Sequence, residues 1–182
     1  MGASYDRISE DIKSFIEEQQ MFFVATAARE GRVNVSPKGL DCLRVLGPNR
    51  VAWANGTGST NETAAHVLDS PRMTLMFCAF EGQPKILRVY GNARTLHEGD
   101  DDWDELHALC GSLSGARNIF DITVDLVTST CGFGVPLYEF QEQRTLLPSW
   151  TSKRSAETLR AYREEKNQFN IDGLPTGLPI SR

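Results

Sequence analysis

Three pairs of short β-rich runs, each closed by a tight turn, constrain this chain more than any other feature. The runs 21-MFFVATA-27 and 32-RVNVSPKG-39 flank 28-AREG-31, and 42-CLRVL-46 and 50-RVAWA-54 flank 47-GPN-49. A third pair, 73-MTLMFCAF-80 and 85-KILRVYGNARTL-96, is joined through 81-EGQP-84. β-branched and aromatic runs around Gly- or Pro-bearing turns read as hairpins, and Pro37 is expected to end the pairing of its strand. Gly91, inside a long arm, predicts a bend or bulge of the kind a closing barrel requires. With 119-IFDITVDLV-127 as a further strand, six or seven strands follow in hairpin order. That order favours a mainly β, small antiparallel barrel with helices at its margins over an α/β sheet.

Helices are expected at the edges. Ile8, Ile12, Phe15 and Ile16 recur at helical spacing within 6–19, 101-DDWDELHALC-110 reads as a second helix, and 152–166 as a third, capped at Ser155. A chain of 182 residues suits one core. We divide it into a barrel domain with its N-terminal helix, 1–150, and a C-terminal helix and tail, 151–182, packed on the same domain. The tail 170-NIDGLPTGLPISR-182 is rich in Gly and Pro. Asn167, Asp172 and the turn 173–175 either fold over a partner's cleft or pack on the barrel, and the residues leave both open.

The balance of 19 basic against 24 acidic residues, a net charge of -5, argues against duplex nucleic acid as a partner, which needs a concentrated basic face. The first twenty residues lack the apolar run of a signal peptide, and no stretch reaches membrane-spanning length, so a cytoplasmic protein is expected. Asp6 stands where a myristoylation motif from Gly2 needs Ser or Thr. Cys42, Cys78, Cys110 and Cys131 form no CxxC pair and read as buried free thiols. His97 and His107 show no ligand spacing, so no metal site is expected.

The candidate site centres on 58-GSTNETAAH-66, a loop entering a helix. Ser59 and Glu62 have capping-box spacing, which alone accounts for both residues. Thr57, Thr60, Asn61 and Thr63 add donors beyond a cap, at a helix start whose dipole favours negative charge. A phosphate fits there. The stretch is neither a Walker loop nor a Rossmann fingerprint. His66, two turns into the helix, is more often a packing residue. Ser36 and Lys38 end a strand, and Arg88 sits in an apolar arm where alternation turns it either into a barrel mouth or to water. Trp53 and Trp150 are read first as packing residues.

Taken together, 34-NVSPKG-39, 56-GTGSTNETAAH-66, 76-MFCAFEGQPKILRVYG-91, 131-CGFGVP-136 and 171-IDGLP-175 resemble the pyridoxamine 5'-phosphate oxidase-like flavoproteins, the FMN-binding split-barrel superfamily. The resemblance implies a six-stranded antiparallel split β-barrel that forms a homodimer, with FMN in each interface cleft. It further implies cofactor-binding residues Val35, Ser36, Pro37 and Lys38 beside the isoalloxazine, and Gly58, Ser59, Thr60, Asn61 and Thr63 at the phosphate, helped by Arg88. Lys38 matches the lysine of the oxidase. The oxidase's preceding arginine is replaced by Val33 beside Arg32, and its Arg-Lys pair at the phosphate by Thr60 and Asn61. These departures argue against pyridoxamine phosphate as substrate. The implied function is an FMN-dependent oxidoreductase acting on a small substrate or NAD(P)H. No residue stands out as a general base. The alternative is a non-catalytic flavin- or haem-binding, redox-sensing module.

Overall fold

The computed structural model describes residues 2–179; the last three residues of the tail read above, and Met1, lie outside them. Strands β1 (Ala3–Tyr5), β2 (Phe22–Ala27), β3 (Val33–Lys38), β4 (Leu43–Gly47), β5 (Arg50–Gly56), β6 (Arg72–Cys78), β7 (Lys85–Leu96) and β8 (Ala116–Cys131) form one antiparallel sheet. Helices α1 (Glu10–Glu18), α2 (Glu62–Asp69), α3 (Trp103–Leu109), α4 (Leu146–Ser152) and α5 (Ala156–Lys166) surround it. The architecture is the expected antiparallel β fold with marginal helices, but it carries eight strands rather than six. The seven runs read as strands all form, with β4 at the edge of the path β3-β2-β6-β7-β8-β5-β4, and the short β1 adds an eighth by pairing with the far end of β8.

That path does not close. Its two ends are nonetheless near each other, because only residues 39–42 separate β3 from β4, a span of at most about 17 Å. The sheet is therefore curled and split along the β3/β4 edge. Leu40 and Asp41 cross the gap with φ of 66° and 53°, left-handed values that few non-glycine residues adopt.

Alternation along the strands builds the core. Phe22, Val24 and Thr26 of β2 are buried while Phe23 and Ala25 are half-buried. Inside, Trp53 stacks on Phe120 at 4.7 Å and meets Phe22 edge-on at 6.0 Å, and Phe22 stacks on Phe77 at 5.7 Å. Each such pair adds about 1 kcal/mol to the burial itself. Buried Ile12 and Ile16 of α1 cover one end of the barrel, behind the Ser9 cap. The irregularity expected at Gly91 is real, and it lies opposite that residue: the register slips between Tyr90↔Leu126 and Gly91↔Val124, leaving Asp125 as the extra residue of β8. A Cβ on Gly91 would lie 2.2 Å from the Thr123 carbonyl oxygen.

Pro37 does not end its strand. It pairs with Phe23, and Lys38 with Phe22, because β3 is an edge strand where a missing N–H costs no ladder bond. Cys42, Cys78 and Cys110 are buried free thiols as expected, whereas Cys131, at the end of β8, is exposed. No helix among the described residues is long and apolar enough to cross a membrane, and these residues hold no group of metal-ligating side chains.

Candidate functional site

Pairing fixes which side of the sheet each candidate residue occupies. Asn34, Ser36 and Lys38 of β3 share the inner face with Thr26, Val24 and Phe22, their partners on β2. Helix α2 lies on that same face. His66 is 1 % exposed and its Nδ1 is 3.1 Å from Thr26 Oγ1, while Asn34 donates to Thr63 Oγ1 at 3.3 Å. The inner edge of β3 thus meets the start of α2 at Asn34, with Ser36 and Lys38 further along the same inner face. His66 is the packing residue its position suggested.

Some polar atoms on β3 and at the start of α2 lack protein partners. Ser36 Oγ is buried without a hydrogen bond, as are both side-chain atoms of Asn61, a residue only 1 % exposed. Ser59 and Thr60 stand exposed beside it. The capping box expected between Ser59 and Glu62 does not form. Asn61 is the cap residue and makes no side-chain cap bond, and the Glu62 carboxylate instead accepts from the Ile171 N–H at 3.2 Å. The tail has captured the acid, leaving the helix start with its own amides and dipole.

Lys38 supplies charge. Its ammonium lies 5.6 Å from the centre of the Trp53 ring, and burial, reinforced by the Arg117 charge, lowers its pKa from 10.5 to about 8. A cleft of about 500 Å³ opens beside it, between Met21, Gly39 and Leu40 on one wall and Phe140, Arg144 and Leu147 on the other. Gln143 ties the far wall down, accepting from the Leu40 N–H at 3.1 Å and donating to the Gln20 carbonyl at 2.9 Å.

Val35 and Pro37 face the other way. With alternation they lie on the outer face, 61 % exposed in the case of Val35. Cross-strand pairing continues this face as the rows Val35–Ala25–Thr74–Tyr90–Leu126 and Pro37–Phe23–Met76–Arg88–Thr128. Arg88 therefore sits three strands from Pro37 on the outer face, with its guanidinium 3.3 Å from Thr130 Oγ1. The single chain does not bring it to Ser59–Asn61.

Residues that sequence reasoning did not assign to this loop hold it from behind. Buried Arg117 donates to the Gly58 carbonyl at 3.2 Å and to Asn167 Oδ1 at 2.8 Å. Asn55, its amide oxygen turned toward the guanidinium, accepts from Nε and Nη2 at 3.2 Å. Asn167 returns a bond to the Gly58 carbonyl, and Arg163 of α5 donates to Thr57 Oγ1 at 2.8 Å. The only hint was a charged residue opening the apolar run 118–124 and an asparagine closing α5. Asn167 and Asp172 pack on their own chain: Asp172 accepts from the Arg32 N–H at 2.8 Å, and Phe169 bridges to Pro175.

Comparison with known proteins agrees with this architecture. The sequence profile described as pyridoxamine 5'-phosphate oxidase matches residues 8–131. The pyridoxamine 5'-phosphate oxidase family protein ustO of Aspergillus flavus is 33% identical over 193 residues, covering 96% of this chain and 78% of its own. Among solved structures, HupZ of Group A Streptococcus superposes with a TM-score of 0.55 at 21% identity, covering 65% of this chain and 91% of its own. A putative pyridoxamine 5'-phosphate oxidase from Lactobacillus delbrueckii gives 0.54 at 19% identity, over 68% and 94%. HutZ, a haem storage protein of Vibrio cholerae, gives 0.51 at 18%, over 70% and 98%. These three likenesses concern the fold.

Proposed function

Since the chain belongs to the pyridoxamine 5'-phosphate oxidase family, we propose that it binds FMN where β3 meets α2 and works as a flavin-dependent oxidoreductase on a small substrate. The observation that carries this reading is the set of buried polar atoms without protein partners at that junction: Ser36 Oγ and both amide atoms of Asn61. A buried amide left unpaired costs about 1–3 kcal/mol, a cost that a polar ligand at this helix start offsets. The fit to a flavin phosphate is chemical. Exposed Ser59 and Thr60, the Asn61 amide and the first N–H groups of α2 are neutral donors to an anion.

When bound, the flavin supplies the two-electron chemistry. The protein's own part is positioning and charge. Ser59, Thr60 and Asn61 hold the phosphate, while Lys38 Nζ carries positive charge below pH about 8 and releases its proton above it. The wall formed by Phe140 and Leu147 narrows water's access to that nitrogen. We also propose that two copies pair through the outer face, whose exposed Val33, Val35 and Leu126 form an apolar surface of the kind that marks an interface. A second copy is then the route by which Arg88 comes near the cofactor.

The histidines favour flavin over haem in this cleft. His66 is buried against Thr26, and His107 is stacked on Trp103 with Nε2 3.2 Å from the Leu113 carbonyl. His97 lines a separate cleft. The test is the visible spectrum of the purified protein together with chromatography of what denaturation releases. FMN in near-equimolar amount, reduced by NADH or NADPH and reoxidised at a steady rate by an acceptor, is the expected result. A Soret band, or a protein that stays colourless with added FMN, overturns the reading.

A further inference from the structure

A second cleft, of about 380 Å³, lies on the other side of the Thr57–Gly58 loop, between the end of β7, helix α5 and the tail. Arg117, Arg160 and Arg163 line it with His97, facing Glu98 and Glu164. Two of its cations are an electrostatic anomaly. Arg117 is 7 % exposed, yet the acceptors it reaches are a backbone carbonyl and two amide oxygens, none of them charged. Half-buried Arg163 likewise reaches the Thr57 hydroxyl and the Gly115 and Ala116 carbonyls. Burial and mutual repulsion lower the pKa of Arg117 to about 10. A buried cation without a carboxylate is costly, and two side by side cost more.

We propose that this cleft is a second anion site, taking the phosphate of a small phosphorylated molecule or free inorganic phosphate. Arg160 is the entry cation, for it is exposed, while Arg117 and Arg163 supply the fixed field behind it. Glu98 tempers the charge of Arg163. The three guanidinium groups against two carboxylates leave the cleft net positive. Because Arg117 and Arg163 also hold Gly58 and Thr57, an anion here stiffens the back of the cofactor loop. The inference does not depend on which cofactor that loop carries.

The experiment is equilibrium binding of inorganic phosphate, followed by ³¹P line broadening, to the protein as purified and to two variants. Arg160→Ala removes a solvent-facing contact and leaves the loop anchors intact; Asn61→Ala alters the loop site on the opposite side. Saturable binding that weakens roughly tenfold in Arg160→Ala, the loss of one charge-assisted contact, and is unchanged in Asn61→Ala is the expected result. A phosphorylated metabolite that binds more tightly than phosphate, with the same response to Arg160→Ala, identifies the larger ligand. Absence of saturable binding, or binding lost in Asn61→Ala and retained in Arg160→Ala, overturns the proposal.

Discussion

Lys38 and Asn61 make opposite demands on the empty and the liganded protein. The pKa of Lys38 is lowered to about 8 by burial, so below pH 8 the folded chain carries the full cost of a desolvated charge. Between pH about 8 and 10.5 the folded state has lost the proton and the unfolded state keeps it; stability therefore rises with pH across that window. An anionic ligand reverses the preference, and FMN affinity should fall as pH rises through about 8. Flavin titrations from pH 6 to 9 should show this step in the native protein and none in Lys38→Met. Asn61→Ala should separate stability from function: it removes two orphaned buried atoms, so thermal unfolding without ligand should occur at an unchanged or higher temperature, while FMN binds at least about tenfold more weakly. A drop in both would mark Asn61 as merely structural. Ser59, Asn61 and Lys38 were legible as candidates because small polar residues at a helix start are conspicuous. That Asn61 is buried and unpartnered was not, because burial is set by the tail and β8, far away in the chain.

At the scale of elements, β8 and α5 decide the shape of the site although neither carries the motif. Asn167 links the end of α5 to Arg117 of β8 and to Gly58 of the loop. Asn167→Ala should take one hydrogen bond each from buried Arg117 and from the Gly58 carbonyl, costing about 2–3 kcal/mol in urea unfolding and releasing flavin with it. Asn167→Asp, which retains the acceptor for Arg117, should recover much of the stability. Gly91 tests the barrel itself. Its missing Cβ leaves room for the Thr123 carbonyl beside the Asp125 bulge, so Gly91→Ala should destabilise by about 3 kcal/mol or more, measured the same way. The hairpins and that irregularity could be read from turn residues and periodicity, which act locally. The short strand β1 and helix α4 could not: β1 exists only because Ala3–Tyr5 finds the edge of β8 beyond the reach of β5, and α4 packs through Thr151 against Gly115, whose φ is 71°.

For the whole molecule, the outer face made by rows from β3 to β8 carries the assembly prediction. Leu126→Arg, at the β8 end of that face and away from the candidate flavin contacts, should turn a dimer into a monomer in sedimentation velocity and lower flavin content with it; a dimer that survives unchanged places the interface elsewhere. Alternation told which strands have an inner and an outer face, and turn chemistry told that they pair antiparallel, so the β class and the hairpin order were determined by the sequence alone. The motif also named the loop at which an anion should bind. Tertiary structure alone decided the rest. It determined that Pro37 pairs, because β3 lies at an edge, and which face of that strand, Ser36 with Lys38 or Val35 with Pro37, turns inward. It set Arg88 apart from Ser59–Asn61, and it moved Glu62 from its expected cap to the Ile171 N–H. Each outcome depends on which segment lies beside a given atom in the folded chain, and a contact such as Glu62 with Ile171, across a hundred residues, leaves no periodic trace in the sequence.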